Sequence, residues 1–490
     1  MESRAPKPKP KPKKTTARQP SVPTPVRTGH GGGEAVAVGL ESATTDPKLL
    51  LSASVLLADA ALIAKQAGSE VTAALTDWRF PLRAARQPLW ALGVVGSAVR
   101  ALTNSAGLGF NAHGGLVGES ARALAGVSGR RPAAIAMAVD AFAMRINAAA
   151  ADNPNLDSPQ ARRLADAALA GRPWETLRAA AALAEHFGVT RALTTVSPVI
   201  MELLALASLL DQNTFNDDFA WVTLAGGVPT TDPFLGLSSS LIGWLNPGPG
   251  RAERAEPDAI LTRVLARSSN DIVSYVDDIA ALGNHGLALL RRVACQDGEV
   301  RYALLLPGTS FARLRNSTPQ DVVGAMDGLL RTDTTYTRAV KQVLRRAGVP
   351  VGSALMVVGH SLGGITAMNL AMDVDFVATY RLTHVVTVGS PIDNKRPADG
   401  RTQVISLVNE HDVIPGLDGC GPASPTVIPE DWVELAWLDD AQDYPLSHAP
   451  QSYATALRES VPEYRRRVND LIGVYDGTVV GNQLYRLRDR

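Results

Sequence analysis

The sequence predicts an α/β fold with a mostly parallel central sheet in its C-terminal half, preceded by a mainly helical region and a disordered tail. Three observations carry this expectation. From about residue 255, apolar strand-like runs alternate with helical segments, the pattern of strands linked by crossover helices. Residues 46–245 are rich in Ala and Leu between Gly, Pro and Asn breaks, which reads as packed helices. Lys and Pro alternate from Lys7 to Lys13, and Gly31-Gly32-Gly33 follows, so this segment has little apolar surface to bury. The expected organisation is a tail over 1–45, a helical domain over 46–250 and an α/β domain over 251–490.

The elements follow in order. Ser158-Pro159 supplies an N-cap and a first-turn proline for a helix through Leu169, and Pro173-Trp174 opens another through His186. An apolar helix lies between Pro198 and Leu210, with Glu202 its one charge. The stretch Phe219–Gly250 reads as a linker or flap. Its Trp221, Phe234, Leu235, Leu237, Leu241 and Trp244 suit either an apolar entrance or core packing. Beyond it, a helix is expected between Pro257 and Leu282, then strands Leu287–Cys295 and Val300–Leu306 joined by a turn at Asp297-Gly298. Thr318-Pro319 is expected to cap a helix to about Arg331, and a second helix runs from Tyr336 to Ala347. Strands are expected at Ala354–Val358, Leu382–Val388 and Gln403–Val408, with a closing helix over Gln451–Leu471. The insert Pro422–Pro445, with Ile428, Trp432, Leu435, Trp437 and Leu438, reads as either a cap over a site or a packing helix.

Composition narrows the function. The 490 residues are 46% hydrophobic and 20% charged, with 48 basic and 48 acidic side chains. The charge is uneven: residues 1–30 carry a net +7, which leaves the remainder at −7. An acidic body argues against nucleic acid as a partner, while the basic tail suits peripheral contact with an anionic membrane. Cys295 and Cys420 are too few for a disulfide framework, so reduced thiols are expected. The N-terminus lacks the apolar core of a secretory signal, and Lys65, Arg100 and Glu202 interrupt the most apolar segments. A cytoplasmic protein, membrane- or lipid-associated rather than spanning, is the expectation.

The most informative segment is Val357-Val358-Gly359-His360-Ser361-Leu362-Gly363-Gly364. A run of β-formers, then G-x-S-x-G, then a helix-prone stretch is what a nucleophile elbow requires. The serine is delivered to a sharp turn at a helix N-terminus, where backbone N–H groups favour developing negative charge. A serine hydroxyl is a weak nucleophile near neutral pH and needs a base and an orienting acid. In folds with this elbow, the acid and then the histidine follow the serine in chain order. His448 is the one histidine beyond Asp412 and so the expected base. Asp393, Asp412, Asp418, Asp439, Asp440 and Asp443 compete as the acid, and Asp412 is preferred because it directly follows the strand ending at Val408. His360 is expected to pack beside the serine, His411 breaks the expected order, and His384 reads as structural. For an oxyanion, the N–H donors would be Leu362 and Thr309, the latter after Gly308, where backbone can approach closely.

Gly308-Thr309-Ser310, the elbow, Thr387-Val388-Gly389-Ser390-Pro391, Asp412-Val413-Ile414-Pro415 and Ser447-His448-Ala449-Pro450 with Tyr453 together resemble the class 3 (fungal-type) lipases of the α/β-hydrolase superfamily. The resemblance covers roughly 285–475. It implies a catalytic triad of Ser361, Asp412 and His448, with Thr309 helping to bind the oxyanion. Pro307 stands where fungal members typically carry Arg, and Phe311-Ala312-Arg313-Leu314-Arg315 is shorter and more basic than their helical lid. The expected function is a carboxylic ester hydrolase of the lipase or esterase kind, acting on an ester or lipid substrate with no metal or organic cofactor. The alternative is a protein that binds a lipid or polymer surface, its hydrolase fold non-essential.

Overall fold

The computed structural model describes residues 46–77, isolated positions between 86 and 97, and 133 onward except 154–155, 157, 170–171, 212, 214, 267–268, 311–314, 419–423, 425–427 and 440–442. The basic tail, Arg100 with all but three positions of the Leu89–Leu108 segment, and all but Arg315 of the basic stretch after Ser310 fall outside these residues.

Among the described residues the helical half contains α1 (Pro47–Thr76), α2 (Ala133–Asp152), α3 (Pro159–Leu169), α4 (Pro173–Phe187), α5 (Val189–Val196), α6 (Ile200–Leu210), α7 (Asp217–Leu224) and α8 (Ser239–Leu245). The start signals work as their chemistry requires: Ser158 Oγ accepts from the Ala161 N–H at 3.1 Å, and Pro173 occupies the first turn of α4. Ala faces let these helices approach closely around Phe142, Ile146, Leu164, Leu183, Leu206 and Phe219. Among the described residues three segments, Pro47–Val71, Ala133–Ala151 and Val189–Leu210, are long and apolar enough to cross a membrane. Lys65, which interrupts the first by charge, is used within the chain. Its ammonium lies 4.8 Å from the Trp221 ring centroid and 3.7 Å from Asp218.

The second half forms an eight-stranded mixed sheet in the order β1-β8-β2-β3-β4-β5-β6-β7. The strands are β1 (Arg251–Ala255), β2 (Leu287–Cys295), β3 (Val300–Leu306), β4 (Ala354–His360), β5 (Arg381–Val388), β6 (Gln403–Asn409), β7 (Val433–Trp437) and β8 (Gly477–Arg488). Strands β3 to β7 pair in parallel; β1, β8 and β2 add an antiparallel flank. Successive residues on a strand point to opposite faces, so Leu304, Leu306, Leu355 and Val357 face one core. Ala303, Leu305, Met356 and Val358 face the other. Burial on both faces explains why the central strands read as unbroken apolar runs.

Helices α9 (Ala259–Leu265), α10 (Ile272–Leu282), α11 (Val322–Leu330), α12 (Thr335–Arg346), α13 (Leu362–Ala371), α14 (Val374–Thr379), α15 (Pro450–Glu459) and α16 (Pro462–Leu471) complete the α/β half. Residues of α12 and α13 fill the first core, and residues of α10, α15 and α16 the second. The second core side also carries an ion pair, with Arg291 of β2 bonded to Asp278 of α10 at 2.5 Å and both side chains buried.

Several expectations are corrected. The helix placed between Pro257 and Leu282 is two helices, because Asp271 caps a new start by accepting from the Ser274 N–H. The helix after Thr318-Pro319 begins only at Val322, where Asp321 accepts from the Gly324 N–H. The closing helix divides before Pro462, whose ring nitrogen has no hydrogen to continue the preceding helix. Phe219–Gly250 is not a bare linker: it holds most of α7, all of α8 and a bridge between Thr231 and Ser238. Within the insert Pro422–Pro445, Val433–Trp437 is β7, which pairs with β6, so this stretch is a strand rather than a packing helix.

Candidate active site

Strand β4 delivers Ser361 to a turn at φ 54°, ψ −123°, the one positive φ of a non-glycine residue among those described. Such backbone is strained for a residue with a Cβ, and the surroundings must hold it. The Ser361 N–H donates to the Val388 carbonyl of β5 at 2.9 Å, and α13 starts at the next residue. Gly363 lets helix and strand approach this closely: a Cβ there would lie 2.0 Å from the Leu306 carbonyl oxygen.

His448 lies in the loop before α15. Its Nε2 is 2.9 Å from Ser361 Oγ and its Nδ1 is 2.7 Å from Asp412 Oδ2. Asp412 follows β6 and is fixed on both oxygens. The Ile414 N–H donates to Oδ1 at 3.0 Å, and the Tyr453 hydroxyl donates to Oδ2 at 2.8 Å. Ser361, Asp412 and His448 are 3%, 3% and 6% exposed, so water competes little for these bonds. A carboxylate against Nδ1 selects the tautomer with hydrogen on Nδ1, which leaves the Nε2 lone pair facing the serine hydroxyl.

His360 packs its ring 4.7 Å from that of His448, and its Nε2 is 2.7 Å from the His448 carbonyl. Burial, then the neighbouring His448, pushes its pKa down to about 3, so the ring is neutral and Nε2–H donates. His360 thereby ties the elbow to the loop carrying His448.

A cleft of about 290 Å³ opens beside these residues, lined by Ile279, Gly283, Thr309, Tyr444, Pro445 and His448 among others. Gly308 lies directly against the serine: a Cβ there would come within 2.8 Å of Ser361 Cβ. The Thr309 carbonyl accepts from Asn284 Nδ2 at 2.8 Å, which holds the peptide that follows Thr309. Leu362 is the first residue of α13, and the opening N–H groups of a helix have no intrahelical acceptor. The two candidate donor peptides therefore flank Ser361.

The other candidates lie elsewhere. Asp393 and Asp418 meet each other, the Asp393 N–H donating to Asp418 Oδ2 at 2.6 Å. Burial, Asp418 and Glu434 push the Asp393 carboxyl well above its ordinary value, and burial with Asp418 and Glu410 takes Glu434 to about 7. Asp439 presents its carbonyl to His411 Nδ1, and Asp443 holds a turn by accepting from Leu446 and Ser447. Asp440 is outside the described residues. His384 bonds Thr383 within β5. Of the aromatics that suited either an apolar entrance or core packing, Trp221 is buried in the helical core, whereas Phe234 and Trp244 are exposed and none of the three lines this cleft. Among the described residues no group of His, Cys, Asp and Glu is arranged to hold a metal ion.

Sequence reasoning quoted Tyr453 but gave it no role, and it passed over Asn284 and Tyr444. Tyr444 lies four residues before His448 and stacks on it at 6.4 Å, so sequence proximity was the available signal.

The lipase (class 3) family matches residues 311–421, which take in Ser361 and Asp412 and stop short of His448. The chain contains a class 3 lipase domain. That domain is of the α/β-hydrolase kind, and the family implies a lipid ester hydrolase. The helical half has no family match. No curated protein matches the chain. A crystal structure of the gene lin2722 products from Listeria innocua is similar at 16% identity, covering 39% of this chain and 89% of that one, with a TM-score of 0.21.

Proposed function

We propose that the chain is a serine hydrolase that cleaves carboxylic esters of lipids or other acyl compounds through an acyl-enzyme. The observation that carries this reading is the continuous hydrogen-bonded line Ser361 Oγ, His448, Asp412 at a strained elbow. Ser361 Oγ attacks the ester carbonyl carbon as its proton passes to His448 Nε2. Asp412 holds the ring in place and stabilises the imidazolium that forms. The carbonyl electron pair moves onto oxygen, where the Thr309 and Leu362 N–H groups receive it. The intermediate collapses and the alcohol leaves with the proton from His448. Water then repeats the sequence on the acyl-serine and releases the acid. Ile279, Ala280, Pro307 and Pro445 in the cleft wall suit an acyl chain.

The test is hydrolysis of p-nitrophenyl esters from C2 to C16, wild type beside Ser361→Ala. Serine-dependent turnover supports the reading, and the preferred chain length divides esterase from lipase. Turnover that survives Ser361→Ala, or none at any length, contradicts it and favours a surface-binding protein.

A further inference from the structure

We infer that the helical half is a working part of the site: Thr194 and Ser197, one turn apart, are positioning residues that hold the loops bearing His448 and Asp412. This rests on the hydrolase reading above. Thr194 lies at the end of α5 and Ser197 begins the 3₁₀ turn Ser197–Val199 that leads into α6. Both are buried, at 4% and 5% exposure.

The two contacts reach opposite sides of the triad. The Tyr444 N–H donates to Thr194 Oγ1 at 2.8 Å, across 250 residues of chain. Thr194 Oγ1 spends its own hydrogen on the Thr190 carbonyl at 3.2 Å, which leaves a lone pair for Tyr444. Tyr444 lines the cleft and stacks on His448, four residues further on. The Ser197 hydroxyl donates to the Glu410 carbonyl at 2.7 Å, the shorter of its two contacts, with the Thr194 carbonyl at 3.0 Å. Glu410 is two residues before Asp412, and its own N–H donates to the Trp437 carbonyl of β7 at 2.8 Å. Leu417, just beyond the acid, packs against the helical core.

One turn of the helical half therefore anchors both the base loop and the acid loop, and sets the distance between them. A buried N–H that loses its acceptor must find another, which moves the loop. A shift of about 1 Å between reacting groups lowers turnover by as much as about 100-fold. Each loop keeps a second tie, at Asp443 and at Trp437, so a smaller loss is expected here.

The experiment compares full-length Thr194→Val, Thr194→Ser and Ser197→Ala with wild type. Ester turnover is expressed per serine titrated by a fluorophosphonate, so unfolded protein does not count. Thr194→Val and Ser197→Ala are expected to lower kcat per titrated serine about tenfold with KM changed less than twofold. Thr194→Ser, which keeps the acceptor, is expected to stay within twofold of wild type. Should Thr194→Val not fold, Ser197→Ala decides alone, because it acts on the other loop. Variants whose kcat per titrated serine equals that of wild type, whatever their melting temperatures, overturn the proposal and leave these contacts as packing. A wild-type protein without ester turnover is a different result: it overturns the hydrolase reading and this proposal with it.

Discussion

Replacing His360 by Gln isolates a buried group that takes up no proton when the unfolded chain does. His360 is enclosed by the His448 ring and carbonyl, Gly308 and Tyr453, and its pKa is held down at about 3 against an ordinary 6.5. Above pH 6.5 the residue is neutral in both states and makes no difference. Below it the unfolded state gains a proton and the folded state does not, so stability falls as pH drops from 6.5 towards 3. The slope is about 1.4 kcal/mol per pH unit, and the accumulated loss at pH 5 is about 2 kcal/mol. Gln keeps a donor for the His448 carbonyl but cannot titrate. Urea unfolding of both proteins at pH 7 and pH 5 measures the effect. The wild type is expected to lose about 2 kcal/mol more than His360→Gln between the two pH values, whatever the variant costs at pH 7. An equal loss in both would show that His360 is protonated in the folded protein, and the account of its burial would be wrong.

Four further outcomes follow from the structure. Ser361→Ala abolishes ester turnover, and Ser361→Gly, which also relieves the positive φ, raises unfolding stability by about 1 kcal/mol. Tyr453→Phe removes the donor to Asp412 and leaves the Asn409 N–H, now paired at 3.1 Å, without its acceptor. The expected cost is about 2–3 kcal/mol in urea unfolding with a fall in kcat, and unchanged values of both would refute the role. Asp278→Ala leaves the Arg291 guanidinium charged and buried, at a cost of about 3–5 kcal/mol in the same assay.

What the sequence made legible follows burial. Strands β3 to β6 are covered on both faces, so their apolar runs announce them. β1 reads Arg-Ala-Glu-Arg-Ala and buries only Ala252 fully, so it carries no hydrophobic signal of its own. β8 mixes Gly477, Gly481, Arg486 and Arg488 into a half-covered flank, and the five residues of β7 are hidden in an acidic, Pro-rich insert. At the site, Ser361 and His448 were singled out by local pattern and chain order. The acid rests on a weaker signal: six carboxylates satisfy the order, Asp412 stands out by following a strand, and folding brings it to His448 while Asp393 and Asp418 face each other. Thr194 and Ser197 lie 250 and 213 residues from the backbones they hold, and no local pattern connects such positions.

The most direct test of the central claim is to locate the serine that becomes covalently modified. The full-length protein is treated with a fluorophosphonate, digested, and the adduct placed by mass spectrometry. One adduct per chain on Ser361, forming at least 100-fold more slowly in His448→Ala, is the predicted result (the threshold follows from the size of general-base effects, about 10²–10⁴-fold). No adduct, an adduct on another residue, or a rate indifferent to His448 would contradict an activated serine at this elbow.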